Sequence, residues 1–194
     1  ALMLLKEQPM QIESIAIKNY RLFRDARLEN IPRLCVLVGA NGTGKSTLFD
    51  VFSFLKDALS MNVGKALAKR GGYREVASRG FASEPIEITL QFRLEITGRE
   101  RLVTYVLKIV PGKDGRPMVE REVLRYKRGA YGAPFRFLDF SVGKGYAITN
   151  EEDFSKPEEV EKVKQLLEKN MEENFTKLIG RAQTKLNCDI FGIG

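Results

Sequence analysis

Gly39-Ala40-Asn41-Gly42-Thr43-Gly44-Lys45-Ser46 matches the Gly-x-x-x-x-Gly-Lys-Ser spacing of a phosphate cradle. Chemistry explains the residue types. Glycine reaches backbone angles closed to other residues, so that successive N–H groups can curl around phosphate oxygens, and a helix opening at the lysine aims its positive end at the same point. Lys45 would reach the β- and γ-phosphates, Ser46 would offer its hydroxyl to Mg²⁺, and the N–H of Thr47 would face the α-phosphate. The candidate nucleotide set is therefore Gly39, Asn41, Gly42, Thr43, Gly44, Lys45, Ser46 and Thr47, with Ser46 as the metal ligand. The expected cofactors are ATP, with GTP the weaker alternative, and Mg²⁺.

No catalytic residue stands beside that cradle in the sequence. The chain of 194 residues has no histidine, which removes Ser-His-Asp and Cys-His nucleophiles, histidine metal ligands and imidazole bases from anything these residues do alone. Phe135-Arg136-Phe137-Leu138-Asp139 imitates an apolar strand ending in a metal-binding aspartate, but Arg136 interrupts it and no glutamate follows Asp139. Ser141-Val142-Gly143-Lys144-Gly145 imitates a second phosphate-reading motif, yet no helical pattern opens there, so a turn is expected. Gln91 falls on the polar side of a strict alternation and reads as a solvated strand residue.

Several elements must position the cradle. Leu34-Cys35-Val36-Leu37-Val38, a short unbroken apolar run, reads as a strand buried on both faces of a sheet. Leu48, Val51, Phe52, Leu55 and Leu59 recur at helical spacing, which predicts an amphipathic helix from Ser46 to about Leu59. A first strand is expected from Met10 to Lys18 and a second near Ala26–Leu28. Residues 61–84, rich in glycine and basic side chains, read as a loop. Beyond it Ile86–Ile96 and Val103–Ile109 alternate with period two across a turn at Thr97-Gly98-Arg99-Glu100, and further strands are expected at about Pro117–Lys127 and Arg136–Phe140. These form an antiparallel meander beside the cradle unit.

Ser155 and Glu158 make a capping box with Pro157 in the first turn, and apolar residues from Val160 to Leu178 follow 3-4 spacing. A helix packing on the meander is expected there, with a coiled-coil root as the alternative. The fold class is thus α/β: a P-loop unit with a mixed sheet, an antiparallel meander and a C-terminal helix. The organisation is residues 1–154 as a P-loop lobe with a β subdomain, then 155–194 as helix and tail.

A net charge of +7 from 32 Lys and Arg against 25 Asp and Glu suits a polyanionic partner without choosing one. Lys65, Lys69, Arg70, Arg74 and Arg79 cluster around Tyr73 in the 61–84 loop, which could track a nucleic-acid backbone or could simply be solvated. Cys35 and Cys188 offer neither metal spacing nor a disulfide framework. Together with the lack of a long apolar run, this predicts a reducing cytoplasmic setting and no membrane partner.

The strand Ile12–Lys18 running into Asn19-Tyr20-Arg21-Leu22-Phe23, followed by the cradle and Thr47-Leu48, resembles the N-terminal lobe of RecF-like ABC-type ATPases, a group related to chromosome-maintenance ATPases. Lys69-Arg70-Gly71-Gly72-Tyr73-Arg74-Glu75-Val76 and residues 138–150 further resemble a bacterial and archaeal subset of AAA-type ATPases, and the likeness covers about residues 10–154. This resemblance implies that Arg21 lies near the nucleotide, with a surface salt bridge as its alternative role. It also implies ATP sandwiched between two subunits of a homo- or hetero-dimer, with DNA as a partner. Complete members carry a second lobe with a signature motif and an Asp-Glu pair, neither of which occurs here.

The functions in view are an ATP-binding lobe whose dimerisation is driven by ATP and coupled to DNA or a protein, with hydrolysis incomplete in this chain; a non-hydrolytic ATP-dependent assembly module; and a P-loop kinase or GTPase. An ABC transporter subunit would share the cradle but not the Asn19-Tyr20-Arg21 turn. The Asn-Lys-x-Asp base reader of a GTPase is missing from these residues.

Overall fold

The structure is a computed structural model that describes residues 10–96, 99–112, 115–127, 134–142 and 144–146. The period-two segments become strands of one sheet: β1 (Gln11–Tyr20), β2 (Phe23–Leu28), β3 (Ile86–Ile96), β4 (Arg99–Pro111), β5 (Pro117–Tyr126), β6 (Phe135–Ser141) and β7 (Lys144–Tyr146). Their spatial order is β2-β1-β3-β4-β5-β6-β7. Pairing carries the alternation across the sheet: Ile15 faces Leu90, Leu90 faces Tyr105, Tyr105 faces Leu124 and Leu124 faces Leu138. All of these side chains are buried, so one face of the sheet is apolar.

The helices cover that face. Helix α1 (Lys45–Ser60) sends Leu48, Val51, Phe54 and Leu55 into the same core as Ile15, Ile17, Ile88 and Leu107. Tyr20 of β1 meets Phe54 with ring centroids 5.7 Å apart. The opposite face is charged and half exposed. Lys108 pairs with Glu120 at 2.7 Å and Glu87 at 3.7 Å, Lys18 with Glu87 at 3.8 Å, and Arg93 with Glu13 and Glu100. Gln91 lies on this polar side, but it is half-buried rather than freely solvated, with its Oε1 accepting from Ser14 Oγ at 2.8 Å.

Three expectations need correction. The sheet is not mixed among the described residues, because every neighbouring pair is antiparallel. Leu34–Val38 forms no strand: Leu34, Val36 and Val38 are 68%, 62% and 91% exposed, and only Leu37 packs against the core. The apolar run announces strand propensity but cannot supply the neighbours that a backbone ladder needs.

The segment 61–84 is not a loop either. It holds α2 (Val63–Ala68) and α3 (Tyr73–Val76). Asn62 caps α2 by accepting from the Lys65 N–H at 2.8 Å, and Gly71 and Gly72, with φ 92° and 94°, turn the chain back as Gly72 N–H donates to Leu67 O at 2.8 Å. The glycines that suggested a loop are helix punctuation. The expected helix after Ser155 and the tail to Gly194 lie outside the described residues, as do Thr97 and Gly98 of the β3–β4 turn.

Candidate phosphate site

Helix α1 begins at Lys45 with Gly44 as its N-cap at φ 93°, no capping side chain and no acidic residue in its first turn. Its leading N–H groups and the positive end of its dipole are therefore free for an anion. Gly42, at φ 86°, lets the chain turn through an exposed crest formed with Asn41. Thr43 closes the loop on itself, donating from Oγ1 to Ala40 O at 2.9 Å. Crowding fixes Gly39 and Gly44 as glycines: a Cβ at Gly39 would sit 2.9 Å from Thr43 Oγ1, and one at Gly44 would sit 2.8 Å from the ring of Phe23.

Lys45 folds back over this loop. Its Nζ donates to Gly39 O, to Ala40 O at 2.6 Å and to Thr43 Oγ1 at 3.4 Å, so the ammonium is gathered by neutral oxygens at the loop mouth. A phosphate would exchange those carbonyls for charge-assisted bonds. Ser46 is exposed at the head of the helix, and Thr47 is buried beneath it. Among the described residues no cluster of three or more His, Cys, Asp or Glu could hold a metal. A divalent ion here would thus rest on Ser46, ligand phosphates and water, which is how Mg²⁺ prefers to be held.

Arg21 leaves β1 in the left-handed region at φ 48°, held there as its N–H donates to Val76 O at 2.7 Å. Its Nε meets Asp50 Oδ2 at 2.9 Å, which ties the β1–β2 turn to α1 one helical turn beyond Ser46. Arg21 therefore occupies the salt bridge foreseen as its alternative, and its contact with α1 falls at Asp50, one helical turn beyond Ser46. Asn19 stitches the same turn to residues 78–84, donating to Phe81 O and Glu84 O at 3.0 and 2.8 Å and accepting from Ser78 N–H at 3.1 Å.

Sequence reasoning missed the polar network under the helix. Asp50 accepts from Tyr20 Oη at 2.8 Å and from Arg70 Nε at 3.0 Å, and forms an ion pair with Arg21 Nε at 2.9 Å. Arg70, with 6% of its side chain exposed, also donates to Asp57 Oδ2 at 2.7 Å, Ser53 Oγ at 3.0 Å and Ala66 O at 3.0 Å. Burial alone would raise the Asp57 carboxyl, but hydrogen bonds from Arg70 and Lys69 outweigh it and hold the group below its usual value. Burial, then the bond to Asp50, pushes the Tyr20 hydroxyl well above the ordinary phenol range. One signal was available: Ser46, Asp50, Ser53 and Asp57 fall at i, i+4, i+7 and i+11, a polar stripe along one side of α1.

The basic cluster is accordingly not a free surface. Lys69 and Arg70 are engaged with Asp57 and Asp50, and the Tyr73 ring is buried with its hydroxyl donating to backbone carbonyls, including Ile109 O at 3.3 Å. Only Lys65, Arg74 and Arg79 of that group are exposed without an ion pair among the described residues. Asp139 of the Phe135–Asp139 segment lies between Arg121 and Arg136, at 3.4 and 3.2 Å, while Ser141 ends β6 and pairs with Lys144, which with Gly145 begins β7; Gly143 lies outside the described residues.

Comparison with known proteins bears on this geometry. A family model described as an AAA ATPase domain matches residues 10–191. The DNA replication and repair proteins RecF from two Lactococcus lactis subsp. cremoris strains, MG1363 and SK11, are each 26% identical over 145 residues, covering 72% of this chain and 40% of the relative. The chain thus spans well under half the length of these curated relatives. No described helix is long and apolar enough to cross a membrane.

Proposed function

The chain belongs to the AAA ATPase domain family, in its RecF-like branch, and from that premise we propose that Gly39–Thr47 binds ATP with Mg²⁺ as the nucleotide lobe of an ATPase completed by further protein. The observation that carries this reading is the uncapped start of α1 at Gly44, with Lys45 poised on the loop carbonyls. In the proposed complex the backbone N–H groups of the loop and of Thr47 surround the phosphates. Lys45 trades Gly39 O and Ala40 O for β- and γ-oxygens, and Ser46 holds the metal. Arg21 adds a cation from the neighbouring turn.

The exposed run Leu34–Val38 supports the idea of an incomplete lobe. Three large apolar side chains on a segment with no ladder partner among the described residues stand directly before the phosphate loop, where added strands would cover them. In this reading ATP closes a homo- or hetero-dimer through the nucleotide face, DNA or a protein partner being coupled to that closure. Hydrolysis then waits on carboxylates supplied from outside residues 10–146. A non-hydrolytic assembly module is favoured for the chain alone by one observation: Asp139 is locked between two arginines. Turnover assays on the purified chain separate the two, since a self-sufficient ATPase would reach about 1 s⁻¹ or more. Calorimetric titration with ATP and Mg²⁺ tests the binding itself.

A further inference from the structure

We infer that Arg70 is a positioning residue for Arg21, acting through Asp50 to set the guanidinium of Arg21 beside the phosphate loop. The inference rests on the nucleotide-binding reading of that loop and deepens it. Asp50 is the junction, because its Oδ1 accepts from Arg70 Nε, its Oδ2 accepts from Tyr20 Oη, and the same Oδ2 is ion-paired with Arg21 Nε at 2.9 Å. A carboxylate held from both sides has a fixed orientation, and so does whatever it holds.

Arg70 is in turn immobilised. Four of its donor contacts are engaged, to Asp50, Asp57, Ser53 and Ala66 O, and its guanidinium carbon lies 5.4 Å from the Phe54 ring centroid. Only a planar fork reaches three side chains of one helix stripe together with a carbonyl of the next helix, so lysine cannot substitute. The chain of contacts ends at a cation with spare capacity. Arg21 meets Asp50 through Nε, and its terminal nitrogens make no hydrogen bond among the described residues. Phe23, two residues on, has its ring against Gly44, which brings this turn alongside the loop. The left-handed backbone of Arg21 adds a reason for external bracing, since the conformation is costly for a side chain with a Cβ.

The prediction is energetic coupling between Arg70 and Arg21 in nucleotide affinity. Calorimetry of the full chain with ATP, ADP and AMP in Mg²⁺ should show Arg21→Ala and Arg70→Lys each weakening ATP about ten-fold, with the two variants losing affinity in parallel across the three nucleotides. The double variant should lose no more than either single one. Val63→Ala, which loosens α2 without touching the network, should lower the unfolding midpoint in urea while leaving ATP affinity as in the wild type. Wild-type affinity in folded Arg70→Lys, or losses that simply add in the double variant, would overturn the inference. Should Arg70→Lys not fold, Asp50→Asn takes its place with the same two outcomes. If the wild type binds ATP and Lys45→Ala does not, a negative result at Arg70 sinks this inference alone; if the wild type fails to bind, the proposed function falls and the inference with it.

Discussion

The ring of Phe23 closes off the space where a side chain at Gly44 would begin, with Cε1 only 2.8 Å from the position of a Cβ. The β1–β2 turn thereby sets how closely the phosphate loop can approach the sheet. Because Gly44 also sits at φ 93°, Gly44→Ala should destabilise the chain by about 1–3 kcal/mol and abolish nucleotide binding. Urea unfolding and calorimetry check the two effects, and an alanine variant of wild-type stability would contradict the packing described.

Arg70 and Lys69 share Asp57 but not its environment, the lysine side chain being 62% exposed and that of the arginine 6%. Arg70→Ala leaves Asp57 to the exposed Lys69 and Asp50 to Tyr20 and Arg21 and should cost about 2–3 kcal/mol, whereas Lys69→Ala should cost under about 1 kcal/mol. Comparable losses measured in urea would show that the buried network is not organised around Arg70.

The cradle, α1 and the period-two strands are legible in the sequence because each writes a local pattern: glycine spacing, 3-4 recurrence, strict alternation. The network is not, because Asp50, Ser53 and Asp57 look like a solvated stripe until Arg70 arrives from another element. For the same reason Lys69, Arg70 and Tyr73 read as part of a loop either solvated or tracking a nucleic acid, when two of them are ion-paired and the third is buried. Leu34–Val38 misleads in the opposite sense, since its composition asks for sheet neighbours that the described residues do not contain.

That exposure predicts tolerance. Val38→Ser should leave the stability of the chain alone within about 0.5 kcal/mol of the wild type, as expected of a surface position. A loss of about 2 kcal/mol or more in urea would mean that the run is already covered.

Asp57 should keep its charge to lower pH than an ordinary carboxylate. Its folded value lies below the ordinary 3.8, so its contribution to stability is complete above about pH 4 and is lost as pH falls from there toward the depressed value. Asp57→Asn should therefore be less stable than the wild type at pH 7, with the difference shrinking below about pH 4. A difference that stays constant from pH 7 to pH 3 would contradict the ion pairing with Arg70 and Lys69.

The central claim is that Lys45 exchanges its loop carbonyls for nucleotide phosphates, and calorimetric titration of ATP with Mg²⁺ into the wild type and Lys45→Ala tests it most directly. Saturable binding by the wild type is expected, weakened in Lys45→Ala by about 2 kcal/mol or more, roughly 30-fold. Equal affinities for the two proteins, or no binding by either, would contradict it.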